Sequence, residues 1–250
     1  MEFLIVCPLA LIAGYVDAIA GGGGLISLPA YLFAGLPVHA AIATNKMSST
    51  MGTLFATLRY ARHGYMVKSL VVVGVACGLA GSAAGSSLAL ATGDAVFKVI
   101  MLAVLPIIAF YVLKTKNLSA QAAHPLSARG AVLATAAIAL GIGVYDGFYG
   151  PGTGTFLMLL LTGVARLDLT VAAGTTKAIN LATNTAALVV FLVNGAVLLP
   201  LGLAAGAFNI AGNLLGSKHF TQQGSAVTRP VMLVVIVLFA LKLVGDLLAG

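Results

Sequence analysis

The chain has 250 residues, of which 60% are hydrophobic and only 8% are charged, with a formal net charge of +7 at neutral pH. A soluble domain carries roughly a quarter charged residues, because its surface must be hydrated. The composition therefore excludes a water-soluble globular protein and predicts an all-α, polytopic membrane protein with the lipid bilayer as its solvent. The positive charge is then loop charge that sets topology, which argues against nucleic acid as a partner.

Ten apolar segments follow one another along the chain, five in each half. Residues 1–113 form a first transmembrane repeat, residues 130–250 a second and inverted one, and the polar linker 114–129 between them is expected in the cytoplasm. The segments of the first half are 3–20, 24–36, 38–61, 69–91 and 96–113, and those of the second half are 130–149, 154–164, 169–193, 197–217 and 230–248.

A glycine-rich break separates the first two segments of each half, at 21–24 and at 150–154. The segment after each break is shorter than the about 20 residues that a full span requires. Broken backbone at membrane depth is tolerated only where it is buried in protein or lines a cavity. Each broken pair is either a re-entrant hairpin or one long and one short span, and the sequence leaves both readings open.

The two halves repeat a set of polar and glycine positions. Such internal duplication is typical of secondary transporters, whose sites lie where the repeats meet. Thr44, Lys46, Ser49, Thr53, Gly64, Gly81, Gly85 and Ser86 recur 131 residues later as Thr175, Lys177, Asn180, Asn184, Gly195, Gly212, Gly216 and Ser217. Gly14, Asp17, Gly21 and Gly23 recur as Gly143, Asp146, Gly150 and Gly152.

Basic residues in the loops predict the orientation of each half. The connection after the third segment carries Arg59, Arg62 and Lys68 in the first half, which places it in the cytoplasm, whereas its counterpart at 194–200 is uncharged. The following connection is basic only in the second half, at 218–229. Equivalent loops thus prefer opposite sides, which indicates an inverted repeat with both termini in the periplasm.

Both halves place a lysine in the middle of the third segment. Lys46 and Lys177 lie near the expected midplane, where a lysine costs about 2.5–3.5 kcal/mol on insertion scales. Polar residues follow each lysine at i+3 and i+7, on the same helical face. We expect the two lysines to converge on a small anionic substrate. The expected substrate-binding side chains are Lys46, Lys177, Asn45, Ser49, Thr53, Thr176, Asn180 and Asn184.

The glycine breaks predict backbone donors for the same substrate. A short helix that begins near Gly24 or near Thr155 presents free N–H groups and the positive end of its dipole. Glycine also lets an anion approach the backbone closely. We therefore expect Gly23, Gly24, Gly152 and Thr153 to contribute to the substrate site.

An aspartate precedes each break, Asp17 in the first half and Asp146 in the second. Intramembrane carboxylates commonly relay protons or pair with cations. Two readings stay open for both residues. One is proton coupling, which is our working prediction; the other is a charge-neutral pair with a lysine that serves packing.

The sequence offers no catalytic set within its apolar segments. It shows no nucleophile paired with a base, no metal-binding cluster, and no phosphate-binding loop after a strand. We therefore expect neither an enzyme nor a resident cofactor or metal.

Two ordered motifs connect the breaks with the lysines. The first half reads VDAIAGGGGLI from Val16, followed by Pro29 and by TNK ending at Lys46. The second half reads YDGFYGPGTG from Tyr145, followed by GTTK ending at Lys177. Together these motifs resemble the two repeats of the sulfite exporter TauE/SafE family of membrane transporters, and the resemblance covers nearly the whole chain.

The resemblance implies a transporter in a bacterial inner membrane that exports small sulfur-containing anions such as sulfite, thiosulfate or organosulfonates. Proton-coupled alternating access is the expected mechanism, and a passive anion channel that uses the same paired lysines is the alternative. The expected partners are the small anionic substrate and the lipid bilayer, and the sequence leaves a homo-oligomer open.

Overall fold

The computed structural model of this chain describes residues 1–93 and 126–224, together with 226–228, 230, 231, 234 and 237. Within those residues every regular element is a helix and no strand is present, which confirms the all-α prediction. The helices are α1 (Glu2–Ala20), α2 (Gly24–Phe33), α3 (Val38–Arg62), α4 (Lys68–Ala91), α5 (Ala128–Phe148), α6 (Thr153–Gly163), α7 (Leu169–Val193) and α8 (Leu199–Gln223).

These helices correspond to the first four predicted segments of each half. The predicted segment 96–113, most of the linker 114–129 and most of the segment 230–248 lie outside the described residues. The predicted end of the segment 197–217 was wrong. Helix α8 continues to Gln223, so Lys218, which was expected in a loop, lies within the helix.

Five of the described helices, α1, α4, α5, α7 and α8, are long and apolar enough to cross a membrane. Helix α3 has the same length as α7, 25 residues, but carries a run of polar side chains around Lys46. Helices α2 and α6 are apolar and have only 10 and 11 residues. These lengths agree with a multi-pass membrane protein in which each half contains one short helix.

The helices of the two halves pack into each other. Helix α1 packs along α8, and α4 packs in the same way along α5. Helix α3 contacts α8, α4 contacts α7, and α3 and α7 contact each other. Each main contact is thus made between one helix of the first half and one of the second, so the halves form a single interleaved bundle.

Glycines bring the paired helices into backbone contact. A Cβ added to Gly81 of α4 would overlap the Leu140 carbonyl oxygen of α5, and one added to Gly212 of α8 would overlap the Leu11 carbonyl oxygen of α1. Gly81 and Gly212 are the same position of the repeat. Small residues that allow such close approach are how helices associate in lipid, where burial of apolar surface provides no driving force.

Candidate functional site

The two glycine breaks meet inside the bundle. Gly21 ends α1 with a φ of 72°, a conformation that only glycine adopts without steric cost. Its carbonyl accepts a hydrogen bond of 3.2 Å from the N–H of Thr155. The Thr155 hydroxyl donates to the Ala20 carbonyl over 2.7 Å. Gly154 packs directly on Gly21, so that a side chain on either residue would overlap the other backbone. The breaks of the two halves therefore form one buried joint.

Lys46 lies on α3 and pairs with an aspartate of the other half. Its Nζ is 2.8 Å from Asp146 Oδ1 and donates to Asn184 Oδ1 over 3.1 Å. Asp146 Oδ1 also accepts a hydrogen bond of 2.6 Å from the Thr153 hydroxyl at the start of α6. Both charged side chains are only 2% exposed. In such a pair, the opposite charge and the additional hydrogen bonds offset part of the cost of removing both groups from water.

Lys177 lies on α7 and forms the corresponding pair with the first half. Its Nζ donates to Asp17 Oδ2 over 2.7 Å and to the Asp17 carbonyl oxygen over 2.5 Å. Thr53 donates a longer hydrogen bond of 3.3 Å to the same carboxylate. The Lys177 side chain is 0% exposed, whereas that of Asp17 is 13% exposed. The Lys177 ammonium is therefore fully buried, whereas the Asp17 carboxylate that neutralises it is partly exposed.

Each lysine thus pairs with the aspartate of the other half. Lys46 of the first half pairs with Asp146 of the second, and Lys177 of the second half pairs with Asp17 of the first. Of the two readings that the sequence left open for the aspartates, charge pairing is present in this structure. Neither lysine has a free charge in this conformation.

A small polar cavity lies between the two breaks and the two long polar helices. Its volume is about 20 Å³, which is room for about one water molecule. All its lining residues are glycine, charged or otherwise polar. They are Asp17, Gly21, Gly24, Asn45, Lys46, Ser49, Asp146, Gly150, Thr153, Gly154, Asn180 and Asn184.

Most of the side chains predicted for the substrate site line this cavity. The structure brings together Lys46, Asn45, Ser49, Asn180, Asn184, Gly24, Thr153 and both aspartates, Asp17 and Asp146. It does not place Lys177, Thr53, Thr176, Gly23 or Gly152 in the cavity wall. Lys177 and Thr53 contact Asp17 without lining the cavity themselves, and Thr176 is fully buried. The predicted convergence of both lysines on one space is therefore not seen in this conformation.

The backbone donors expected at the starts of the short helices are largely occupied. At α2, the N–H groups of Ile26 and Ser27 both donate to the Gly23 carbonyl. At α6, the N–H of Thr153 donates to Gly150 over 3.2 Å, and the N–H of Thr155 is used in the joint with α1. Helix α6 also begins at Thr153, two residues before the predicted start. The expectation of free N–H groups was thus wrong for these amides, because the breaks form turns of their own.

Two residues that line the cavity each have a buried acceptor oxygen with no hydrogen-bond partner among the described residues. The two atoms are Asp146 Oδ2 and Asn45 Oδ1. A buried unpaired polar atom is costly, and in native proteins it usually marks a water, an ion or a ligand. The residues around the cavity therefore have unused capacity to accept hydrogen bonds, near a lysine whose charge is already neutralised.

Three glycines of the cavity wall were not predicted as site residues. Gly21 and Gly150 are equivalent positions of the repeat, and both have positive φ values, of 72° and 98°. A Cβ on Gly150 would lie 2.9 Å from Lys46 Nζ, so this glycine makes room for the ammonium. Their repetition at the same place in both halves is a signal that could have identified them. Gly154 has no such signal, since its role depends on the contact with Gly21.

The titratable side chains of the described residues include no group of three or more His, Cys, Asp or Glu that could hold a metal ion. The chemistry available in the cavity is that of ammonium, carboxylate, amide and hydroxyl groups. Such groups can bind a small ion and exchange a proton with it.

Comparison with known proteins identifies relatives over nearly the entire chain. A family model described as sulfite exporter TauE/SafE matches residues 6–243. A probable membrane transporter protein, ORF9, of Sinorhizobium sp. is 35% identical over 246 residues, covering 98% of this chain and 93% of its own.

Two further relatives have similar coverage. A probable membrane transporter protein of Haemophilus influenzae is 31% identical over 238 residues, which cover 95% of this chain and 92% of its own. The probable membrane transporter protein YfcA of Escherichia coli K12 is 30% identical over 239 residues, which cover 95% and 88%. No solved structure matches the chain.

Proposed function

The chain belongs to the sulfite exporter TauE/SafE family of membrane transporters, and from that membership we propose that it is a secondary transporter that exports small sulfur-containing anions. Sulfite, thiosulfate and organosulfonates are the proposed substrates. Proton-coupled alternating access is the proposed mechanism, and the inner membrane of a bacterium the proposed location.

The observation that carries this proposal is a lysine in a polar cavity at the joint of two broken helices. Lys46 is 2% exposed, yet it lines the cavity together with Asn45, Asn180 and Asn184. Amide N–H groups and an ammonium are donors that an oxyanion can use in place of its hydration shell. We propose that the anion binds here, beside Lys46, and that Asn180 and Asn184 orient it.

The interleaved packing supports an inverted repeat and hence alternating access. The contact of α1 with α8 has its counterpart in that of α5 with α4, and the contact of α3 with α8 in that of α7 with α4. Such an exchange of partners is what an internal two-fold axis produces. In transporters built this way, one set of helices rocks against the other around a fixed site.

The proposed orientation rests on two basic regions at the same end of the bundle. Tyr65, in the connection between α3 and α4, packs its ring 6.1 Å from that of Phe220 near the end of α8. The connection flanked by Arg62 and Lys68 therefore lies beside the part of α8 that contains Lys218. Because basic residues favour the cytoplasm, we place this end there and both termini in the periplasm.

The size of the cavity indicates that this conformation is closed around the site. A volume of about 20 Å³ holds about one water molecule and not an anion of four or more heavy atoms. Binding therefore requires the cavity to widen, and we propose that separation of Lys46 from Asp146 widens it. A passive channel through the same site is the alternative function, since it would use the same lysine.

Flux measurements in proteoliposomes test the proposal and separate these alternatives. We expect the wild-type protein to accumulate thiosulfate against its gradient when a proton gradient is imposed, which a channel cannot do. Lys46→Met is expected to abolish this flux, because the anion loses its cation. Lys218→Met is the matched control, since it removes an exposed lysine from α8 and is expected to leave flux unchanged. Equal flux through the Lys46→Met variant would refute the site.

A further inference from the structure

We propose that the coupling proton binds to Oδ2 of Asp146 alone, that its arrival frees Lys46 for the anion, and that Asp17 stays ionised throughout the transport cycle. This inference rests on the proposed function and assigns different tasks to two aspartates that the repeat makes equivalent. Proton and anion then occupy the site together and cross the membrane in the same direction. Export is therefore driven by the outward gradient of the anion or, for a dianion, by the membrane potential, and an inward proton gradient drives uptake.

The two oxygens of Asp146 are in different situations. Oδ1 is held by Lys46 at 2.8 Å and by the Thr153 hydroxyl at 2.6 Å. Oδ2 is buried and has no hydrogen-bond partner among the residues that the structure describes. A proton added at Oδ2 therefore breaks no existing hydrogen bond, and it neutralises a carboxylate of a residue that lines the cavity.

Asp17 is held in the same way, through one oxygen, and differs from Asp146 in the surroundings of its lysine. Its Oδ2 accepts from both Lys177 and Thr53, and Lys177 also donates to the Asp17 carbonyl. Lys177 is 0% exposed and does not line the cavity, so a neutral Asp17 would leave a buried ammonium that no ligand can reach. By contrast, a neutral Asp146 leaves Lys46 facing a cavity with a remaining hydrogen bond to Asn184.

The charges around Asp146 make its proton and the anion mutually dependent. From α3 it faces Lys46, from α1 Asp17 lines the same cavity, and from α7 Lys177 is committed to Asp17. Its own helix and the following turn contribute the phenols of Tyr145 and Tyr149. Helices α6 and α4 also pack near Asp146 but place no charge beside it. From α6 comes the Thr153 hydroxyl. The titratable groups of α4 are Lys68, at the start of that helix, and Cys77, which packs near Ile138.

The charge balance then defines one step. A hydronium ion from the solvent side gives its proton to Oδ2 and leaves as water, the ion pair with Lys46 is lost, and the anion takes the place of the carboxylate beside the ammonium. When the anion leaves, the proton leaves with it and the ion pair forms again. One proton accompanies each anion, so transport of a monoanion is electroneutral and transport of a dianion carries one net negative charge.

Thiosulfate binding to the purified protein as a function of pH tests this inference. Thiosulfate keeps its charge from mildly acidic to mildly alkaline pH, so any pH dependence belongs to the protein. For the wild type, we expect the Kd from thermal stabilisation to rise about tenfold for each pH unit on the alkaline side, because binding takes up one proton. Asp146→Asn, whose neutral amide mimics the protonated carboxyl, is expected to bind thiosulfate with no pH dependence.

Three further variants complete the test. Asp146→Glu keeps a titrating carboxyl and is expected to retain the pH dependence, which provides a second readout if the Asn variant does not fold. Asp17→Asn is expected to lower thermal stability and to retain the wild-type pH dependence. Lys46→Met is expected to bind no thiosulfate at any pH.

The possible results separate the inference from the proposed function. A wild-type Kd that does not change with pH, or a pH dependence that survives in Asp146→Asn and disappears in Asp17→Asn, overturns the inference and leaves the anion site in place. Absence of thiosulfate binding to the wild type at every pH, or unchanged binding by Lys46→Met, overturns the proposed function and the inference with it.

Discussion

The two lysine–aspartate pairs are equivalent in the sequence and different in their surroundings. Both pairs join the halves at nearly the same distance, 2.8 Å for Lys46 and Asp146 and 2.7 Å for Lys177 and Asp17. Lys46 lines the polar cavity and has a side-chain amide as a second partner. Lys177 is sealed from the cavity and has a backbone carbonyl as its second partner.

This difference indicates that the two duplicated lysine–aspartate pairs have different roles. A buried ion pair that a ligand can reach is able to open, because the ligand replaces the lost partner. The Lys177 pair is costly to open although Asp17 lines the cavity, since the Lys177 ammonium would remain desolvated and unpaired. We therefore assign anion binding to the Lys46 pair and a structural role to the Lys177 pair, and three comparisons between them test that assignment.

Replacing each pair as a whole is expected to produce the largest contrast. Lys46→Met with Asp146→Asn should reduce thiosulfate flux by about a hundredfold or more, because the anion loses its charged partner in a desolvated site. Lys177→Met with Asp17→Asn should keep flux within about tenfold of wild type, since exchange of a whole buried pair for neutral groups is often tolerated. Proteoliposome flux at matched protein density measures both.

The structural assignment of the Lys177 pair fails if its double variant inserts normally and loses flux to the same extent. A common function of both lysines in anion binding, as the sequence alone suggested, would then be the better explanation.

Replacing one aspartate at a time should destabilise the protein to different extents for the two pairs. Asp17→Ala leaves Lys177 without a carboxylate in a place closed to water, and we expect a loss of about 3–5 kcal/mol. Asp146→Ala should cost less, because Lys46 lines the cavity and keeps its hydrogen bond to Asn184. Thermal unfolding in detergent, measured as the loss of monodisperse protein, shows which of the two variants is less stable. The reverse order would contradict the assignment.

Thr153 provides the smallest and most local comparison. Its hydroxyl donates to Asp146 Oδ1 over 2.6 Å, and the equivalent position of the first half is Gly24, which has no donor side chain. Thr153→Ala should cost about 0.5–1.5 kcal/mol in stability, as expected for one hydrogen bond. We also expect a weaker ion pair between Asp146 and Lys46, and therefore an altered pH dependence of thiosulfate binding.

Thr153→Ser is the matched control for this position, because it keeps the hydroxyl and removes only a methyl group. It should restore both the stability and the pH dependence. Equal behaviour of the Ala and Ser variants would show that the hydroxyl does not hold Asp146.

Much of the architecture could be predicted because it depends on local composition. The segments 38–61 and 169–193 agree with α3 (Val38–Arg62) and α7 (Leu169–Val193) almost to the residue, since residues that favour turns and helix caps, such as glycine, proline and aspartate, bound them on both sides. The predicted end of α8 was wrong, because Lys218 and its neighbours are polar enough for a loop and still continue the helix to Gln223. The position of Asn184 beside the cavity was predictable from its helical spacing after the lysine.

The sequence by itself determined that this is a membrane protein, that its halves repeat a set of residues, and that each half has an aspartate before a glycine break and a lysine in its third segment. These properties follow from composition and periodicity, which act along a single helix. Only the tertiary structure decided that each lysine takes its aspartate from the other half and that just one of them faces the cavity. Ion pairing depends on which helices pack together, and burial depends on the shape of the space between them. Equivalent residues in a repeat therefore have the same chemistry without having the same environment.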